Sequence, residues 1–166
     1  MERHRIHEFF SQKTLDKIKE IDNDPENIHN DMKAQKILFL LKDLGFTEIG
    51  PGTNRLAVRN VDYIYKIALD SFGVRDNWNE FNMSPELQPV VTKTYETNGI
   101  VAVAEYVNLI TKQEFFDSIN NIRTILEYLD DNGYLFCDIG LVAKNYLNYG
   151  FRDNGELVIT DYGLVK

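Results

Sequence analysis

The chain has 166 residues, 43% of them hydrophobic and 27% charged, the balance of one compact globular domain with a real core. Its formal net charge is −8 and no segment carries a basic run, which excludes a large electrostatic footprint for nucleic acid or an anionic membrane and leaves room only for a local cationic pocket. No apolar run approaches the ~20 residues that span a bilayer, the start MERHRIHEFF lacks a signal-peptide core, and the single cysteine, Cys137, rules out an internal disulfide and fits a reducing cytoplasm.

In chain order, Ile6, Phe9, Phe10, Leu15, Ile18 and Ile21 recur at roughly helical spacing and predict a first helix, which NDPEN (23–27) ends. A second helix follows, N-capped by Asn30 or Asp31, with an apolar stripe through Ile37, Leu38, Leu40, Leu41 and Leu44 and a stop at Gly45. Residues 1–45 are thus a helical N-terminal extension. From Phe46 the texture turns to short runs rich in β-branched and aromatic residues, predicting strands over 46–49, 56–59, 63–69, 90–95 and 100–104. RDNWNEFNMS, between the third and fourth, predicts a short helix ended by Ser84-Pro85. A longer helix is expected over 112–129, terminated at Asn132-Gly133, followed by a short strand over 134–137, a polar loop, and a last strand over 157–160. The expected class is α+β, an antiparallel five-stranded sheet with one helix and a helical remainder, rather than an alternating parallel array.

The third strand poses the functional question. In VDYIYKIALD (61–70) both faces are apolar except at Lys66, and a lysine on an apolar face is costly unless something negative meets it. Glu80 on the next helix, Asp138, Asn148 and Asp161 follow in an order that suits phosphoryl transfer. Lys66 would hold the α- and β-phosphates of a nucleotide, Glu80 would orient Lys66, and Asn148 and Asp161 are hard oxygen donors suited to magnesium. Asp138 is placed to orient a nucleophile, and the backbone amides of Gly50 and Gly52 meet no side chain of their own on the way to a phosphate. The Walker and Rossmann glycine patterns are both absent.

On these residues the sequence resembles the protein kinase superfamily, especially the small kinase-like proteins of bacteriophages. YIYKIALD is similar to the lysine strand, DNWNE to the helix of the paired glutamate, VAVAEYV to the strand entering the hinge, and VITDYG to the DFG magnesium motif. Asn148 precedes Asp161 by 13 positions, the separation expected in ordinary kinases. The resemblance implies a minimal kinase-like fold: an N-lobe over 46–107, a reduced C-lobe over 108–166, and a nucleotide between them with its adenine against backbone groups of Glu105, Tyr106 and Val107. It implies ATP and Mg²⁺ as cofactors, transfer of the γ-phosphate to a serine or threonine hydroxyl of a protein, and a phage-infected bacterial cytoplasm as the setting.

The sequence also departs from the family. GPGTNRLA has Arg55 where the glycine loop has its third glycine and Ala57 where it has valine; Phe136-Cys137-Asp138 replaces H-R-D. Asn148 lies ten positions beyond Asp138, farther than the family motif places it. Within that longer loop, Lys144 is a candidate second phosphate contact and Asn145 an alternative metal ligand. With three residues after Gly163, the expectation is a C-lobe without the APE motif and the peptide platform. That motivates a second expectation: a pseudokinase-like module that binds a host or phage protein.

Overall fold

The computed structural model describes residues 5–136 and 139–163. The N-terminal region is three helices, α1 (Arg5–Phe9), α2 (Gln12–Asn23) and α3 (Asn30–Lys42), rather than the two expected. The first is divided by Ser11, whose backbone is extended and whose hydroxyl accepts the Thr14 N–H as the N-cap of α2. His29, not Asn30 or Asp31, sits at the N-cap of α3, without a side-chain bond. The Asn30 amide instead donates to Thr53 O (2.8 Å) and to Asp70 Oδ2 (2.7 Å), fastening the helix to a hairpin tip.

Next come β1 (Thr47–Pro51), β2 (Arg55–Arg59), β3 (Tyr63–Ala68), α4 (Ser71–Leu87), β4 (Thr94–Thr97) and β5 (Val101–Glu105). The five strands form one antiparallel sheet in the order β1-β2-β3-β5-β4. The expected short helix is α4, which runs through Pro85 instead of stopping before it. Proline costs a helix its bond from one N–H, and here that loss falls in the last turn, where Leu87 is buried and the Ser84 hydroxyl accepts the N–H of Thr94 (2.9 Å). The fourth strand also starts later than expected. Residues 90–92 instead pair with the far end of the chain: Ile159 N donates to Val90 O (2.8 Å) and Thr92 N to Ile159 O (2.9 Å).

The remainder comprises β6 (Asn108–Leu109), α5 (Lys112–Asp117), α6 (Ile119–Asp131), a 3₁₀ helix (Ala143–Asn148), β7 (Tyr149–Phe151) and β8 (Leu157–Ile159). The one long helix expected here is two, broken at Ser118; α5 opens with a capping box between Thr111 and Glu114. Tyr134 N bonds back to Leu129 O (2.9 Å); of the strand expected over 134–137, Tyr134 and Leu135 lie in no strand, Phe136 makes only a β-bridge, and Cys137 lies outside the described residues. A second sheet, β6-β7-β8, takes its place.

Among the described residues the class is α+β, with six α-helices and a five-stranded antiparallel sheet, and no helix is long and apolar enough to cross a membrane. One apolar core joins the three N-terminal helices to the sheet around Phe10, Phe46 and Tyr65; another gathers Phe115, Ile122, Tyr149 and Tyr162 around α6 and the second sheet. Ile64, Ala104, Val107 and Val158 form a smaller cluster between the sheets. β3 is buried on both faces beyond its first residue.

Candidate functional site

Lys66 lies in the middle of the sheet, opposite Ala57 on β2 and Ala102 on β5. These small neighbours leave its side chain a path across the sheet surface. The residue is 6% exposed. Its Nζ donates to Glu80 Oε2 at 2.6 Å and to the carbonyl of Thr160, and stands 5.7 Å from the centre of the Tyr162 ring. Two of the three ammonium donors are thus engaged among the described residues.

Glu80, wholly buried on α4, does more than balance the lysine. Its Oε1 accepts the backbone N–H groups of Tyr162 and Gly163 (3.1 Å each) and a guanidinium N–H of Arg55 (2.8 Å). The carboxylate therefore seats the segment that follows β8. Gly163 is required there for space, since a Cβ would fall within 2.7 Å of the Asp76 backbone oxygen. Burial favours the neutral acid, but the charges of Arg55 and Lys66 outweigh it and hold the carboxyl down at about 2. For Lys66 burial wins over Glu80, lowering it from its usual value. Glu86, the next carboxylate along α4, instead accepts from the Tyr134 hydroxyl (2.6 Å).

Arg55 is the residue the sequence reading passed over. It departs from a glycine pattern, yet the register Ala57↔Lys66 and the period of two along a strand place Arg55 on the same sheet face as the lysine, and that alternation was readable. Its guanidinium donates to Asn77 Oδ1 (3.2 Å), to Glu80 and to the carboxylate of Asp161. Burial works against its charge, but Glu80 and Asp161 raise its pKa above the ordinary arginine value. Asn77 is buried as well and ties the cluster to the sheet through Gly99 O (2.9 Å).

A cavity of about 420 Å³ opens beside these charges, between the two sheets. Gly50, Ala57, Ile64 and Ala104 form one wall, Leu109 and Leu147 face them, and Lys66, Arg55, Asn148 and Asp161 make the polar end. Of the expected residues, Gly50, Gly52, Lys66, Glu105, Asn148 and Asp161 all line the cavity, with Glu80 behind Lys66. Val107 is buried in the cluster with Ile64 and Ala104. Thr92, also in the wall, carries a buried hydroxyl with no hydrogen-bond partner among the described residues.

Four of the expected residues are engaged or placed differently. The Gly52 amide does not reach into the cavity for a phosphate; it donates to Arg55 O (2.7 Å), closing a tight hairpin whose next carbonyls accept from Asn30 and Leu69. Lys144 is exposed on the 3₁₀ helix and is not part of the cavity wall. A six-residue 3₁₀ helix in place of the expected loop turns it outward. Glu105 has its backbone N–H on Lys93 O (2.8 Å) and its carboxylate on Arg152 (2.8 Å), so that amide is committed to the sheet edge. Asn145 is buried, donates to Gly140 O (3.1 Å), and stays out of the wall. Asp138 lies outside the described residues.

Asn148 and Asp161 are brought together through the backbone, Thr160 N donating to Asn148 O (2.8 Å). Their oxygen donors have the chemistry magnesium prefers. One oxygen of the Asp161 carboxylate, Oδ1, is held by the Arg55 guanidinium, so a cation from within the chain already meets this residue. No protein-family model matches this chain and no curated protein matches its sequence.

Proposed function

We propose that the chain is an ATP-binding, protein-kinase-like protein, with residues 46–107 as its first lobe, 108–166 as a reduced second lobe and 1–45 as a helical brace. The observation that carries this reading is the buried Lys66–Glu80 pair (2.6 Å) at the polar end of a 420 Å³ cavity. A buried ion pair alone is weak evidence of stabilisation, and an ammonium placed on a cavity wall with a remaining donor is suited to an anion. The apolar end, Ile64, Ala104 and Leu109, suits a base.

In this reading Lys66 holds the phosphates, Glu80 fixes the lysine and the segment after β8 in one geometry, and Asp138 orients a serine or threonine hydroxyl toward the γ-phosphorus. Positioning and charge stabilisation carry most of the work in such transfers. The test is thermal unfolding with and without ATP. A working pocket raises the melting temperature, equivalent to about 2.7 kcal/mol at a hundredfold excess over Kd, and Lys66→Ala removes most of the rise; no rise in wild type refutes nucleotide binding.

A second reading has its own support. The Asp161 carboxylate is engaged by Arg55 and Lys144 faces away, features that favour a pseudokinase-like module binding a phage or host protein. Labelled phosphate from ATP appearing on a protein substrate in wild type but not in Lys66→Ala would decide for transfer.

A further inference from the structure

We infer that Arg55 takes the place of a divalent ion at Asp161, so that this cavity binds its nucleotide without metal. The inference rests on the nucleotide reading above and specifies how that site manages phosphate charge. Asp161 is 54% exposed in its side chain and borders the cavity, where a cation could reach it from solvent. The cation it meets comes from within the chain. Arg55 arrives on β2, is 8% exposed, and is gripped by Glu80 and Asn77 as well as Asp161.

Two physical consequences follow. A divalent ion at Asp161 would stand beside a buried guanidinium whose charge cannot be relieved by deprotonation, so the two cations repel across a poorly solvated gap. Arginine also differs from lysine in its planar fork of donors, five in all, three of which are used by Asn77, Glu80 and Asp161 among the described residues. The remaining donors lie on a side chain that lines the cavity, beside Lys66. Arg55 and Lys66 together set their remaining N–H donors, each on an ion-paired cation, at the phosphate end without an ion.

The balance of charge agrees. Lys66 and Arg55 offset Glu80 and Asp161, and the nearby Asp76 is met by Arg75 (3.1 Å). An ordinary metal pair would leave uncompensated carboxylate at this point until the ion arrived. Here the full chain compensates it on folding.

The experiment is titration of a fluorescent ATP analogue onto the full chain, once with chelator and once with millimolar magnesium. The wild type is expected to bind under both conditions with affinities within about threefold, whereas Arg55→Ala loses roughly ten- to a hundredfold with chelator, as removal of a charged hydrogen-bond donor does, and recovers with magnesium. Circular dichroism and melting check that Arg55→Ala folds. Asp161→Asn, close in shape, serves independently: whatever its affinity with chelator, adding magnesium changes that affinity by no more than about threefold, since no ion is held at this carboxylate. Wild-type binding that requires magnesium and is abolished by Asp161→Asn overturns the inference while leaving the nucleotide reading intact. Binding under neither condition removes the nucleotide reading, and the inference with it.

Discussion

The two faces of β3 are built from neighbouring residues and behave as different materials. On one face Tyr65 is packed among Phe9, Phe10 and Phe46, with ring centres 5.2–5.9 Å apart, and binds α1 to the sheet. On the other, one residue along, Lys66 sits in a net of charges joining β2, α4 and the segment after β8. The first face is aromatic packing and close to interchangeable with other apolar solutions of equal volume. The second fixes atoms: each carboxylate oxygen of Glu80 has a named donor, so any change leaves a buried group unmatched.

Substitution separates the two. Glu80→Ala leaves Lys66 and Arg55 buried without their shared counter-charge and should destabilise by about 3–5 kcal/mol while abolishing nucleotide binding, read by urea unfolding and by titration. Tyr65→Ala should cost a similar amount, about 3–5 kcal/mol, yet leave nucleotide affinity at low temperature within about threefold of wild type, because the cavity face is untouched. Equal loss of binding in both would mean that the faces are not separable.

Acid sharpens the contrast next. Glu80 is held at about 2 in the folded chain, against 4.5 ordinarily, so the unfolded chain takes up its proton first as the pH falls. The stabilisation from this group is therefore complete above the ordinary value and disappears between about pH 5 and pH 2, amounting to about 3 kcal/mol. Wild type should lose stability steeply through that window in denaturant titrations at stepped pH, and Glu80→Gln should show a shallower acid limb. A wild-type limb no steeper than the variant's would contradict the charge net.

The smallest effect is expected at Lys144. Exposed and away from the cavity, Lys144→Ala should change stability by less than about 0.5 kcal/mol and leave nucleotide titration unaltered; a tenfold loss of affinity would restore it to the site.

How far this was legible in the sequence varies with what holds each part. The strands around Lys66 could be read because their alternation is local, and Glu80 because a lone charge on an apolar strand demands an acid nearby. The divisions at Ser11 and Ser118 left no glycine or proline to announce them. Ser11 acts through a cap and Ser118 through its backbone, and both lie inside continuous apolar periodicity. β8 matches the last strand expected over 157–160, whereas β6 and β7 have two and three residues, too short for any pattern, and their pairing is nonlocal. Pro85 reads as a stop because propensity is local, while Leu87 beyond it is drawn into a core assembled from distant segments. Arg55 was visible as a departure from a motif, but its role depends on where Asp161 returns to the sheet, 106 positions later.

The central claim is that Lys66, held by Glu80, presents its ammonium to the phosphates of a nucleotide. Calorimetric titration of ATP onto wild type and Lys66→Ala tests it most directly. Saturable binding by wild type, weakened at least about tenfold in the variant, is the predicted result; indistinguishable isotherms from the two folded proteins would contradict it.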